Sequence, residues 1–87
     1  MYRVTYPDKI EKVDDKSIMG GSAHYGSFSA AKHSMLSGLE ATMSAAVQTF
    51  IGQRVTNRND RVEQAMKDLA TASAAWGKVY AIQEGDL

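Results

Sequence analysis

The residues that could bind a metal or move a proton near neutral pH are His24 and His33. Neither has a carboxylate or cysteine three or four positions away to complete a ligand set, so a solvated or capping role is expected. Serines are frequent, but none stands between glycines in a nucleophile-elbow pattern after a strand. The run Gly20-Gly21-Ser22-Ala23-His24-Tyr25-Gly26 lacks both the preceding buried strand and the following Lys-Ser or Lys-Thr of a phosphate cradle, and reads as a hinge. Arg54, Arg58 and Arg61 form a basic cluster that Asp60 and Glu63 offset, with no aromatic interleaved for base stacking. These patterns predict no enzyme, no cofactor and no metal.

Two further spacings stand out. Phe50-Ile51-Gly52 places an aromatic residue two positions before a glycine suited to a left-handed helix end. Tyr80-Ala81-Ile82-Gln83-Glu84 puts a tyrosine and an acid four apart, the spacing of one helical face. Taken alone, the first is an ordinary hairpin stop and the second a common pair.

The elements that must carry these residues are helical. From Phe28 the apolar residues Leu36, Leu39, Met43, Ala46 and Phe50 recur at steps of three and four, and Met35 and Val47 widen the stripe. Ser27 or Ser29 can supply the N-cap, and a helix running to about residue 52 would be about 36 Å long. Gly38 would cost this helix about 1 kcal/mol against alanine unless it permits a close approach. Residues 52 to 59 carry the stop and start signals, with Gly52 as C-cap and Asn57 or Asn59 as N-cap. Val62, Ala65, Leu69, Ala72, Trp76 and Val79 then mark a second amphipathic helix, broadened by Met66, Ser73 and Tyr80. Glu63, Gln64, Lys67, Asp68, Thr71 and Lys78 lie on its solvated face.

Residues 1–26 differ. They hold the only proline, Pro7, the charged run from Asp8 to Lys16 and three of the seven glycines. Tyr2, Val4 and Tyr6 alternate with Arg3 and Thr5, a period-two signal over too few residues to build a sheet without partners. The expected organisation is therefore an N-terminal arm over 1–26, flexible or ordered by a partner, and a helical hairpin over 27–87. The fold class is all-α, an antiparallel two-helix hairpin that completes a helical bundle by dimerisation.

The bulk composition agrees with pairing. The 87 residues carry ten basic and ten acidic side chains, so the basic field of a nucleic-acid-binding protein is missing. No cysteine is present for a disulfide framework or a thiolate metal site. The first residues lack the apolar core of a Sec signal, and Ala41 to Gln53 is too short and too polar to span a bilayer. A chain this small makes a limited core, and two helices cover only one side of each stripe. The expected partner interface is Met35, Leu36, Leu39, Met43, Val47, Phe50, Val62, Met66, Leu69 and Trp76.

The hairpin, the aromatic-x-Gly pair and the Tyr-x-x-x-Glu resemble the small WXG-type helical-hairpin proteins of bacterial type VII secretion, over about residues 28 to 84. The resemblance implies Phe50 and Gly52 as the turn pair and Tyr80 and Glu84 as the export pair. Phenylalanine stands where the family has tryptophan, and Trp76 lies in the second helix instead. It implies a small secreted protein or a targeting partner that pairs with a similar hairpin or with the helical N-terminal domain of a larger toxin or effector. Export by a secretion ATPase would then take it from the bacterial cytoplasm to the medium or cell surface. The alternative is a homodimeric structural or regulatory four-helix bundle with no role in secretion.

Overall fold

The computed structural model describes residues 1–14, 24–56 and 59–87, with only the backbone of 53–56. These form strands β1 (Tyr2–Thr5), β2 (Lys9–Lys12) and β3 (His24–Tyr25), helices α1 (Phe28–Thr56) and α2 (Asn59–Ala81), and a closing 3-10 turn at Glu84–Asp86. Two long helices were expected. The strands correct the all-α fold class: the N-terminal residues expected as a flexible or partner-ordered arm form a three-stranded antiparallel sheet.

The sheet is antiparallel, in the order β2-β1-β3. Its turn at Tyr6-Pro7-Asp8 contains a cis Tyr6–Pro7 bond. The register pairs Tyr2 with Lys12, Arg3 with Glu11, Val4 with Ile10 and Thr5 with Lys9, while Tyr2 and Arg3 pair on the other side with Tyr25 and His24. Alternation then decides the faces. Tyr2, Val4, Ile10 and Tyr25 turn toward the helices. Arg3 and Glu11 share the other face as a cross-strand ion pair, and Lys9 reaches the same carboxylate at 2.9 Å. The period-two signal at Tyr2, Val4 and Tyr6 is thus a true strand over its first four residues, because β2 and β3 satisfy its backbone from both sides.

Ser27 caps α1: its Oγ accepts the Ala30 N–H at 3.1 Å, and its carbonyl accepts the Ala31 N–H at 3.1 Å. The helix does not stop at Gly52 but continues to Thr56. Gly52 keeps a right-handed backbone with open space where a side chain would stand. A lone glycine costs a helix about 1 kcal/mol, which slows propagation without ending it. The expected start signal at Asn57 lies outside the described residues, and Asn59 is already inside α2. Gly38 does permit a close approach, though of a strand-turn side chain and not of a helix: the Tyr6 hydroxyl occupies the space a Cβ would need.

One core joins the sheet to both helices. Tyr2 and Ile10 pack with Ala31, Met35 and Leu39 of α1 and with Ala75 and Val79 of α2. Met35 and Val79 are fully buried. Burying a side chain such as Ile10 is worth about 2 kcal/mol, so the hairpin of strands does part of the covering expected of a partner. Toward the other end of the helices the seam continues through Ala46, Val62, Ala65 and Ala72.

Candidate partner-binding face

The residues expected at a partner interface divide into three groups. Met35, Leu39 and Val62 are at most 8 % exposed, so they serve the chain's own core. For Met35 and Leu39 the occupant of the expected interface is the chain's own sheet, through Tyr2 and Ile10. Leu36, Met43, Phe50, Leu69 and Trp76 are half-buried. Val47 and Met66 are 41 % and 55 % exposed, and Ile51, one turn beyond Val47, is 58 % exposed.

Helical periodicity places the remaining surface. Ala46 and Ala65 are buried on the seam, so Val47 and Met66, each one residue on, stand about 100° around their helices from it. Met43, Val47, Phe50 and Ile51 on α1 and Met66 and Leu69 on α2 therefore form one continuous apolar face beside the seam. It covers the half of the hairpin nearest the α1–α2 connection.

The other side of the seam is different in kind. Thr42, Ala45, Ala46, Thr49, Arg61, Gln64, Ala65 and Asp68 line an open groove of about 420 Å³. Thr42 and Asp68 also belong to an adjoining open hollow of about 240 Å³ that Tyr6 and Pro7 help to line. The floor is made of small side chains, and Gln64 donates to Asp68 at 2.9 Å along the rim. Among the described residues no cluster of three or more His, Cys, Asp or Glu could hold a metal.

The end of the hairpin remote from the connection is closed by polar and aromatic contacts. The Trp76 indole stacks on Tyr80, with centroids 5.0 Å apart and planes at 11°, and donates to Glu40 Oε1 at 3.2 Å. Lys32 Nζ donates to the carbonyls of Tyr80 and Ile82, both at 2.7 Å, satisfying acceptors that the end of α2 leaves open. Its ammonium also sits 5.7 Å from the Phe28 ring centroid and 5.5 Å from that of Tyr80. Lys78 pairs with Asp8 at 3.1 Å, tying α2 to the strand turn.

The implied motif pairs are placed otherwise than one helical end apiece would put them. Phe50 and Gly52 both lie within α1, short of its end. α2 ends at Ala81, so Tyr80 and Glu84 do not share a helical face. Tyr80 is 62 % exposed, whereas the Glu84 carboxylate accepts the Tyr2 hydroxyl at 2.6 Å.

Sequence reasoning missed Tyr2, Ile10 and Lys32 as the residues that close the far end. A signal for the first two was present: Pro7-Asp8 is turn chemistry between two short runs, each with an apolar residue facing inward. Lys32 had none, since its partners are backbone carbonyls some fifty positions on. No helix among the described residues is long and apolar enough to cross a membrane. Comparisons with family models, curated proteins and solved structures return no match.

Proposed function

We propose that this chain is a non-enzymatic pairing module that docks a helical partner on the face formed by Met43, Val47, Phe50, Ile51, Met66 and Leu69. The observation that carries the reading is the exposure of Val47, Ile51 and Met66, which helical periodicity sets on one side of the hairpin, in the half nearest the α1–α2 connection. Three such side chains contiguous with three half-buried ones make a patch of the kind soluble chains cover by association. Two further helices laid across it complete a four-helix bundle without disturbing the sheet end.

The test is the mass of the chain in solution, alone and after co-expression with the products of neighbouring genes, for the natural sequence and for Met66→Asp. A dimer or a complex of defined mass is expected, lost in the variant while its circular dichroism is unchanged. A monomer in both arms overturns the reading.

Type VII export is a narrower form of the same proposal, with an effector's helical domain as partner and Tyr80 and Glu84 as the signal. Its support is the residue pattern; the bond from Tyr2 to Glu84 counts against it, because the acid is engaged within the chain. Secretion of the Tyr80→Ala, Glu84→Ala double variant at the natural level would exclude it.

A further inference from the structure

We infer that Met66 is an oxidation site that switches this face: a peroxide-class oxidant converts its thioether to the sulfoxide and so opposes pairing. The inference rests on the pairing reading and adds its regulation.

The chain has no cysteine, so no thiol competes for an oxygen-transfer reagent and the reactive sulfur it offers is that of its methionines. The fold ranks these by access. Met66 is 55 % exposed and Met1 37 %, Met43 is half-buried, and Met35 is fully enclosed in the core with Tyr2 and Ile10. Met19 lies outside the described residues. Met1 belongs to the sheet end, where its ammonium donates to the Val13 carbonyl. Of the two open thioethers, only that of Met66 stands on the apolar face.

The step is a two-electron oxygen transfer. A sulfur lone pair attacks one peroxide oxygen, the S–O bond forms as the O–O bond breaks, and hydrogen peroxide leaves as water. A flexible apolar side chain thereby becomes a polar one with a strong hydrogen-bond acceptor. In the free chain that oxygen faces water and costs the fold little. In the paired state it must give up that water among apolar side chains, and the lost solvation opposes association. Met35 is out of the oxidant's reach, so the core keeps its packing while the face loses its character. Pairing in turn covers Met66, so the oxidant acts on the free chain.

Hydrogen peroxide on the whole chain tests this. Peptide mass mapping reads the site, and sedimentation equilibrium reads association, of the chain alone and of any complex recovered by co-expression. In the free chain Met66 should be oxidised at least about tenfold faster than Met35. Its oxidation should weaken pairing about tenfold or more. Methionine sulfoxide reductases with dithiothreitol, which is oxidised to its disulfide as the oxygen leaves in water, should restore it. Met66→Leu should pair as the natural chain does and go on pairing after peroxide, whereas Met66→Gln should pair as weakly as the oxidised chain. Once paired, Met66 should be shielded from peroxide and Met1 should not. Met35 oxidised as fast as Met66, an oxidised Met66 that pairs as tightly as before, or a Met66→Leu chain that peroxide still uncouples overturns the switch and leaves the pairing reading standing. A monomer in every arm removes both.

Discussion

The Tyr2 hydroxyl donates to Glu84 Oε2 at 2.6 Å, joining β1 to the turn that follows α2. The Tyr2 ring meanwhile packs edge-on against Phe28, centroids 6.0 Å apart. One side chain thus ties the sheet, the start of α1 and the chain's closing turn together. Tyr2→Phe keeps the ring and removes the tie. Faster amide exchange is expected at Asp86 and Leu87, whose N–H groups bond the carbonyls of Gln83 and Glu84, with exchange in the middle of α1 unchanged. Equal exchange in both proteins would show that the turn holds without Tyr2.

The same bond gives stability a sign at high pH. The hydrogen bond to Glu84, then burial, then the Glu84 charge all raise the Tyr2 pKa above its ordinary value. The unfolded chain therefore releases this proton first, from about pH 10. The Tyr2 contribution is complete below that pH and is lost as pH rises through the folded value. Urea unfolding from pH 8 to 11 should show a steeper decline for the natural chain than for Tyr2→Phe. At the acid end the opposite sign applies to Glu11, held below the ordinary carboxylate range first by Lys9 and then by Arg3. Its contribution is present above about pH 4 and disappears as pH falls through the folded value. Glu11→Gln should flatten that loss, and salt should shrink the difference, since Lys9 is largely exposed.

Gly52 separates a turn residue from a helical one. It is helical, exposed and has nothing within 4 Å of where a Cβ would stand. Gly52→Ala should stabilise the chain by about 0.5–1 kcal/mol, measured by chemical denaturation. A glycine in a left-handed cap would give destabilisation instead. Gly77, helical and equally open in α2, should respond like Gly52.

Lys32 closes the end of α2 from across the hairpin. Lys32→Met retains the aliphatic stem between Phe28 and Tyr80 and removes two hydrogen bonds to helix-end carbonyls. A loss of about 1–2 kcal/mol is expected in thermal or urea unfolding, together with fraying of α2's last turn by amide exchange. A change within about 0.3 kcal/mol would assign the closing role to the Tyr2–Glu84 bond alone.

The two helices were legible because their apolar steps of three and four run over many turns, and Ser27 supplies the cap that the residue types allow. The end of α1 was not, since Gly52 carries stop chemistry while the helix passes through it. The sheet was half visible: Tyr2 and Val4 alternate, but β2 holds one buried residue, Ile10, among charged ones. Such a strand acquires its meaning only from the register with β1 and from the helices beneath it. Apolar periodicity says that a residue is covered, not by what, so an inward-facing stripe and a partner-facing stripe look alike until the sheet is in place.

Met35 and Met66 make that distinction measurable, since both belong to the same apolar pattern. Met35 is fully buried under Tyr2 and Ile10, whereas Met66 is 55 % exposed on the open face. Met35→Ala removes core volume and should cost about 2–4 kcal/mol in urea unfolding at protein concentrations low enough to keep the chain monomeric. Met66→Ser under the same conditions should stay within about 0.5 kcal/mol. Association should reverse their order of interest: with its partner present the natural chain gains stability by mass action, and Met66→Ser does not. If Met66→Ser lost as much as Met35→Ala at low concentration, the open face would be part of the monomer's own core, and the pairing reading would fall with it.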